Sequence, residues 1–210
     1  PRDVRRWMLK PRVSGGGHGV RLWQPGEAAT RGHYLQEFIE GTPASVIFVA
    51  AGRRGVVLGI TRQLVGDGAF GISGFRYCGN ILTNDRAMLS NATALVDAVA
   101  SEFSLIGVGS IDVIASEHGL QPVEVNPRWS ASMELVERAR GISMFAIHAE
   151  ACAKGELPVV EIEKGAIHGK AILFAREDVV IGDTRAWLED PTVRDVPHKD
   201  EHIVAGQPIC

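Results

Sequence analysis

Gly107-Val-Gly-Ser-Ile-Asp-Val-Ile-Ala-Ser116, Glu117-His-Gly119 and Leu120-Gln-Pro-Val-Glu-Val-Asn126, followed by Pro127 and Arg128, are two alternating runs joined by a short loop. Residues 110–115 and 121–126 each alternate apolar and polar side chains, the period of a half-buried strand. Gly119 supplies the left-handed residue that a tight connection wants. Pairing Ser116 with Leu120 brings Asp112 opposite Glu124 and Ser110 opposite Asn126. Directly opposed side chains lie about 5 Å apart, so the two carboxylates repel unless a cation joins them. Asp112, Glu124 and Asn126 offer hard oxygen ligands, which suit Mg²⁺ or Mn²⁺ and not zinc. Removing either charge is expected to leave the metal-free fold no less stable. A solvated polar face on an ordinary hairpin is the alternative reading of these residues by themselves.

The 210-residue chain as a whole is 45% hydrophobic and 22% charged, enough for one core with an appendage. A formal charge of −3 gives no reason to expect nucleic acid or an anionic membrane as partner. Cys78, Cys152 and Cys210 are scattered, without a CxxC pair, and read as reduced thiols of a cytoplasmic protein. The seven histidines show no zinc spacing, and His198 and His202 read as surface residues. No run reaches transmembrane length and no signal peptide is visible. The chain lacks an initiator Met and begins almost inside a motif, so the expectation is that N-terminal sequence is missing.

Arg6–Pro11 reads as a strand, Ser14-Gly-Gly-Gly-His-Gly19 as a tip almost without side chains, and Val20–Trp23 as a return strand. Such a tip lets backbone N–H groups approach a phosphate, with Lys10 beside it. It is neither a Walker loop nor a Rossmann fingerprint, since no Gly-Lys-Ser/Thr and no helix follow. His33–Glu40 is expected to be a strand ending at Gly41-Thr-Pro43. Ser45–Ala51 and Val56–Leu64 read as two further strands of an antiparallel meander, separated by Gly52-Arg-Arg-Gly55. Residues 66–82 are glycine-rich and are expected to be a loop near the ligand. Asn84 or Asp85 caps a helix to about Phe103, with Met88, Leu89, Ala92, Leu95, Val96, Val99 and Phe103 in one apolar stripe. Ser132–Lys154 is a second helical region, broken at Gly141, restarted from Ser143 and stopped by Gly155. Ala166–Ala175 is expected as a strand, and from Asp190 onward the chain is loop-like with short extended pieces.

Three motifs, in order, resemble the ATP-grasp superfamily over roughly residues 4–155. Lys10-Pro-Arg-Val-Ser-Gly-Gly-Gly-His-Gly-Val20 resembles its lysine and glycine-rich phosphate loop. Gln36-Glu-Phe-Ile-Glu-Gly41 resembles its adenine hinge. Asp112 with Glu124-Val-Asn-Pro-Arg128 resembles its metal-binding hairpin and the arginine after it. The resemblance implies an α+β, ATP-grasp fold, two lobes of antiparallel sheet with helices enclosing ATP between them, here N-terminally incomplete. It implies an ATP-grasp domain over 1–157, with its small-lobe part at 1–35 and its large lobe at 36–157. Residues 158–210 would then be a C-terminal strand and loop extension.

By the same resemblance Lys10, Ser14, Gly15, Gly16 and Gly17 hold the phosphates of ATP. Gln36, Glu37, Phe38 and Ile39 frame adenine, with Glu37 and Ile39 reading it through their backbones, and Glu40 reaches the ribose. Asp112, Glu124 and Asn126 hold Mg²⁺, or Mn²⁺, and Arg128 stabilises the transferring phosphoryl group. Most such proteins activate a carboxylate as an acyl phosphate for attack by an amine or thiol, so small-molecule carboxylate and amine substrates are the expected partners. Arg62, Arg76 and Ser130 are the candidates for binding substrate, and a homodimer is entertained as the assembly. A regulatory nucleotide-binding domain and a small-molecule kinase stay open as alternatives. The family's N-terminal substrate-binding domain and an earlier ATP-contacting lysine are not visible, and Ser130 and Ser132 stand where some carboxylases carry a glutamate base. Tyr77-Cys-Gly-Asn80, Asp195-Val-Pro-His198 and Gly206-Gln-Pro-Ile209 resemble members tied to one-carbon-carrier cofactors, which implies glutamate ligation in cofactor biosynthesis.

Overall fold

The computed structural model describes residues 5–27, 31–160 and 167–210. The chain forms two compact units, one of Pro1–Phe38, Leu64–Gly79 and Ala171–Cys210, the other of Ile39–Gln63 and Asn80–Lys170. The expected boundary at 35/36 thus lies three residues before the change of unit. The segment after 158 divides at Lys170.

In the first unit β1 (Trp7–Pro11), β2 (Arg21–Leu22) and β3 (His33–Glu37) form an antiparallel sheet in the order β2-β1-β3. Met8 and Leu9 are its buried residues. β3 ends at Glu37, not Glu40, because its partner begins at Trp7, which is paired with Glu37. Phe38 is then held by its N–H on Arg6 O at 2.8 Å and by the Arg6 guanidinium 4.2 Å above its ring.

The second unit is built on a six-stranded sheet. Its strands are β4 (Thr42–Ala51), β5 (Arg54–Val65), β6 (Tyr77–Thr83), β7 (Gly107–Ser116), β8 (Gly119–Asn126) and β9 (Gly169–Ala171), in the order β8-β7-β4-β5-β6-β9. β4 and β5 turn through Gly52 and Arg53 alone, both with positive φ, the conformation that matches strand twist in two-residue hairpins. The glycine-rich run is a loop only to residue 76; Tyr77–Thr83 is an inner strand with Cys78 and Asn80 buried. Gly79 and Asn80 interrupt the continuous apolar run that burial on both faces would otherwise show.

α1 (Arg86–Phe103) starts at Asp85, whose Oδ1 accepts from Ala87 N at 2.8 Å and Met88 N at 3.2 Å. Its Ala92, Val96 and Ala100 pack on Ala44, Val46, Phe48, Ile60, Ile111 and Val113. Phe103, expected in that stripe, is 64% exposed where the chain leaves the helix through left-handed Ser104. α2 (Met133–Arg140) and α3 (Met144–Lys154) are separated at Gly141 and cover the other sheet face. Met133, Leu135, Val136, Met144 and Ala151 pack there on Ile47, Val49, Leu58 and Val108. A β-carbon at Gly107 would collide with the His148 ring, whose Nδ1 accepts from Val108 N at 3.2 Å.

The strand expected over 166–175 is confined to β9; Ala166 lies outside the described residues. The C-terminal part of the first unit pairs β10 (Val179–Val180) with β11 (His202–Ile203) around Ala175, Ile181 and Ile203, with a short α4 (Arg185–Leu188) between them. His198 and His202 are exposed. Among the described residues no helix is long and apolar enough to cross a membrane.

Candidate functional site

The carboxylate hairpin carries its register by an irregularity. Ser110 pairs with Asn126 and Asp112 with Glu124, but Val113 pairs with Pro122 and Ser116 with Gly119. Val123 is therefore an extra residue, and the expected Ser116–Leu120 pair is off by one. The bulge sits beside Pro122, which has no N–H to give the ladder. It restores the register just where the carboxylates meet. The loop shrinks to Glu117-His118, and Gly119, at φ +93°, is already paired.

Asp112 also lies opposite Ser45, and Ser45 opposite Thr61. Asn80 Nδ2 donates to Thr61 Oγ1 at 2.6 Å. Glu124, Asp112, Ser45, Thr61 and Asn80 thus make a polar row across the sheet. It lies on the face that, further along, carries Ile47, Val49 and Val108 under α2 and α3. One face changes from helix-covered and apolar to polar within a single pleat repeat.

At the end of that row the hydrogen bonds run in one direction. Gln63 Nε2 donates to Asp112 Oδ1 at 2.9 Å and Asn126 Nδ2 to Asp112 Oδ2 at 3.3 Å. Arg128 Nη2 donates to Asn126 Oδ1 at 3.2 Å, and Nη1 to Trp129 O at 3.1 Å. Because an arginine only donates and a carboxylate only accepts, both amide orientations are determined. Glu124 is exposed and makes no hydrogen bond or ion pair among the described residues. Ser110 Oγ, beneath the same hairpin, is buried with no partner. No three His, Cys, Asp or Glu side chains converge among the described residues. The oxygen set is therefore two carboxylates and one amide, with an orphaned hydroxyl at its base. Two opposed carboxylates and an amide, offering only oxygen donors, fit a hard divalent ion.

The chain then passes Ser130, whose Oγ lies 3.0 Å from Ser132 Oγ, into α2. Glu134 in its first turn meets Lys170 Nζ at 3.0 Å and Arg138 Nε at 3.0 Å. Burial pushes the Glu134 carboxyl up, but Lys170, by hydrogen bond and charge, and then Arg138 outweigh it and leave its pKa lowered. Arg62 alternates with Thr61 and Gln63, pairs with Ala44, and so points from the opposite face of the sheet. It is not brought to the carboxylates. Sequence reasoning missed Gln63, whose partner is remote in the chain, and the Glu134–Lys170 pair, formed by the short β9.

In the first unit Lys10 lies opposite Tyr34, and its Nζ donates to Gln36 Oε1 at 3.0 Å. Ser14 Oγ donates to His18 O at 2.6 Å, closing the glycine tip. Gly16 and Gly17 have φ of +59° and +75°, and Gly16 O accepts from Tyr77 N at 3.0 Å. A β-carbon at Gly17 would collide with the Phe75 carbonyl, whereas Gly15 has open space. Glu37 approaches Arg5 at 3.9 Å, and the Phe38 ring meets Phe75 edge-on at 6.5 Å between centroids. Arg76 belongs to this unit, with Nη2 on Gly206 O at 3.3 Å and its guanidinium over Phe174. Ile39 and Glu40 are the first residues of the other unit.

This chain belongs to the ATP-grasp family: the family's model, described as an ATP-grasp domain, matches residues 2–132. It is 25% identical over 177 residues to an uncharacterized protein of Methanocaldococcus jannaschii, covering 83% of this chain and 40% of that protein. The L-amino acid ligase of Bacillus licheniformis superposes with a TM-score of 0.67 at 15% identity, over 95% of this chain and 54% of the ligase. The biotin carboxylase domain of Hydrogenobacter thermophilus 2-oxoglutarate carboxylase, solved as a dimer with MgADP and bicarbonate, gives 0.63 at 17% identity, over 98% and 50%. The fold is thus the α+β ATP-grasp fold. The chain spans about half or less of the length of these relatives.

Proposed function

We propose that this chain carries the nucleotide- and metal-handling part of an ATP- and Mg²⁺-dependent ligase that joins a carboxylate to an amine. The observation that supports this most directly is the Asp112–Glu124 opposition with Asn126 and Arg128 beside it. When bound, the Mg²⁺–nucleotide supplies the phosphoryl group that activates a carboxylate for attack by the amine. Asp112, Glu124 and Asn126 Oδ1 would hold the cation. Arg128 uses that same Oδ1 as its acceptor, which sets its guanidinium beside the proposed cation site. There it would stabilise charge on a phosphoryl group. Lys10 and the backbone N–H groups of Ser14–Gly17 serve phosphate oxygens, and Gly17 is the residue that fixes the tip's conformation. The backbones of Glu37 and Ile39, flanked by Gln36 and Phe38, read adenine, and Glu40 the ribose. Arg76 and Ser130 are the candidates for substrate; Arg62, on the other face, receives no role. A finer form, glutamate ligation in cofactor biosynthesis, rests on the resemblance of Tyr77–Asn80 and the C-terminal motifs alone.

Thermal shift with ATP, with and without Mg²⁺, tests the binding half, and metal-dependent stabilisation is expected. Trapping an acyl phosphate as its hydroxamate, with ADP release, tests the chemistry across candidate carboxylates. ATP binding without turnover of any carboxylate would favour a regulatory domain, and a stable phosphorylated product would favour a kinase.

A further inference from the structure

Gln63 reaches Asp112 over an intervening strand. β5 and β7 are not neighbours; β4 runs between them, so the two backbones are about two strand spacings, roughly 10 Å, apart. Gln63 Nε2 nevertheless lies 2.9 Å from Asp112 Oδ1. β4 permits this by placing small Ser45 directly opposite Asp112. The contact uses the full length of glutamine; asparagine, one methylene shorter, falls short. Asn126 holds the other carboxylate oxygen at a longer 3.3 Å. Of these two bonds, that of Gln63 is the tighter restraint on how the Asp112 carboxylate is turned.

We infer that Gln63 is a positioning residue for the cation site. It pins Asp112 Oδ1 and so keeps Oδ2 on the Asn126 side, where the cation's oxygen set lies. The inference rests on the metal reading of Asp112, Glu124 and Asn126 proposed above. Partners that orient a metal-ligating carboxylate commonly contribute 10–100-fold to affinity. Gln63 contributes here without touching the ion.

The test is Mn²⁺ binding, read as loss of the free-Mn²⁺ EPR signal in the presence of ATP, for the wild-type chain, Gln63→Leu, Gln63→Asn and Thr61→Val. Circular dichroism and melting curves are recorded without metal. Both Gln63 variants should weaken Mn²⁺ binding about ten-fold and melt cooperatively, with ATP binding in the absence of metal unchanged. Thr61→Val breaks the neighbouring Asn80–Thr61 bond of the same row and should lower the melting temperature with Mn²⁺ affinity intact. If Gln63 acts only on the fold, its variants will behave like Thr61→Val, which overturns the inference. Mn²⁺ affinity within two-fold of wild type, or full affinity in Gln63→Asn, overturns it as well. A wild-type chain that binds no Mn²⁺ overturns the site reading itself, an outcome distinct from wild-type binding that ignores Gln63.

Discussion

The second unit spends its carboxylates in two ways. Glu134 has two cations within hydrogen-bond reach, Lys170 and Arg138, and its charge is answered inside the fold. Asp112 and Glu124 face each other across a strand pair. Asp112 is held by amide donors, which orient a charge without cancelling it. Glu124 is held by nothing described. Glu134 is a carboxylate whose charge the fold itself answers. A pair of carboxylates set against each other repels unless a cation joins it, which is the basis of the metal reading proposed above.

The largest effect that could break this contrast is on ligand-linked stability. At a hundred-fold excess of Mg²⁺–ATP over its dissociation constant, the wild type should gain about 2.7 kcal/mol, and Asp112→Asn and Glu124→Gln should lose most of it. Without metal the two substitutions should differ. Glu124→Gln touches no described partner and should leave the melting temperature near wild type. Asp112→Asn turns an amide NH₂ toward Gln63 or Asn126, both already donors, and should cost about 1 kcal/mol. Equal relief of repulsion by either change, the expectation from sequence, is thus corrected by what surrounds Asp112. Melting curves of the three proteins with and without Mg²⁺–ATP check both halves. Parallel shifts in the two conditions would mean that the hairpin is only a solvated face.

Much of this contrast is legible in the chain and part of it is not. The Asp112–Glu124 and Ser110–Asn126 pairs follow from alternation, because strand faces repeat every second residue. The bulge at Val123 does not follow, since one extra residue leaves the composition of both runs unchanged. α1 and the Gly141 break are visible through local caps. β6 is hidden because Gly79 and Asn80 imitate a loop while lying in an inner strand. Gln63, Ser45 and Lys170 acquire their meaning only from strand order, a long-range property that no window of sequence contains. Arg62 shows the same limit: its type suits a carboxylate, but its parity points it from the other face.

The next effect in size lies on the paired side. Lys170→Met removes one of the two bonds to Glu134, both 3.0 Å, but leaves Arg138, and should cost roughly 0.5 kcal/mol, the ordinary value of a partly exposed pair. Stabilisation by Mg²⁺–ATP should be unchanged in this variant, because the pair answers its own charges. If Lys170→Met instead removed the ligand effect while sparing the fold, Glu134 would have to be counted with the site and the two classes of carboxylate would merge.

The smallest effect is one of acid titration, and its sign follows from the direction of the Glu134 shift. Burial alone would raise that carboxyl, but the hydrogen bond and charge of Lys170, followed by those of Arg138, hold it below the ordinary 4.5. A group whose pKa is lower in the folded than in the unfolded chain binds protons more readily once unfolded. Its contribution is therefore complete above about 4.5 and disappears as pH falls through the lowered folded value. Melting temperatures of wild type and Glu134→Gln, measured from about pH 3 to pH 7, should differ by a constant amount down to about pH 4.5 and converge as pH falls from there through the lowered folded value. Glu27, Asp183 and Asp190 are also lowered by their own partners, Arg21, Arg185 and Thr192, but they are common to both proteins and drop out of the difference. Curves that stay parallel into acid would show that Glu134 gains nothing from its cations, and the contrast with Asp112 and Glu124 would then rest on the ligand effect alone.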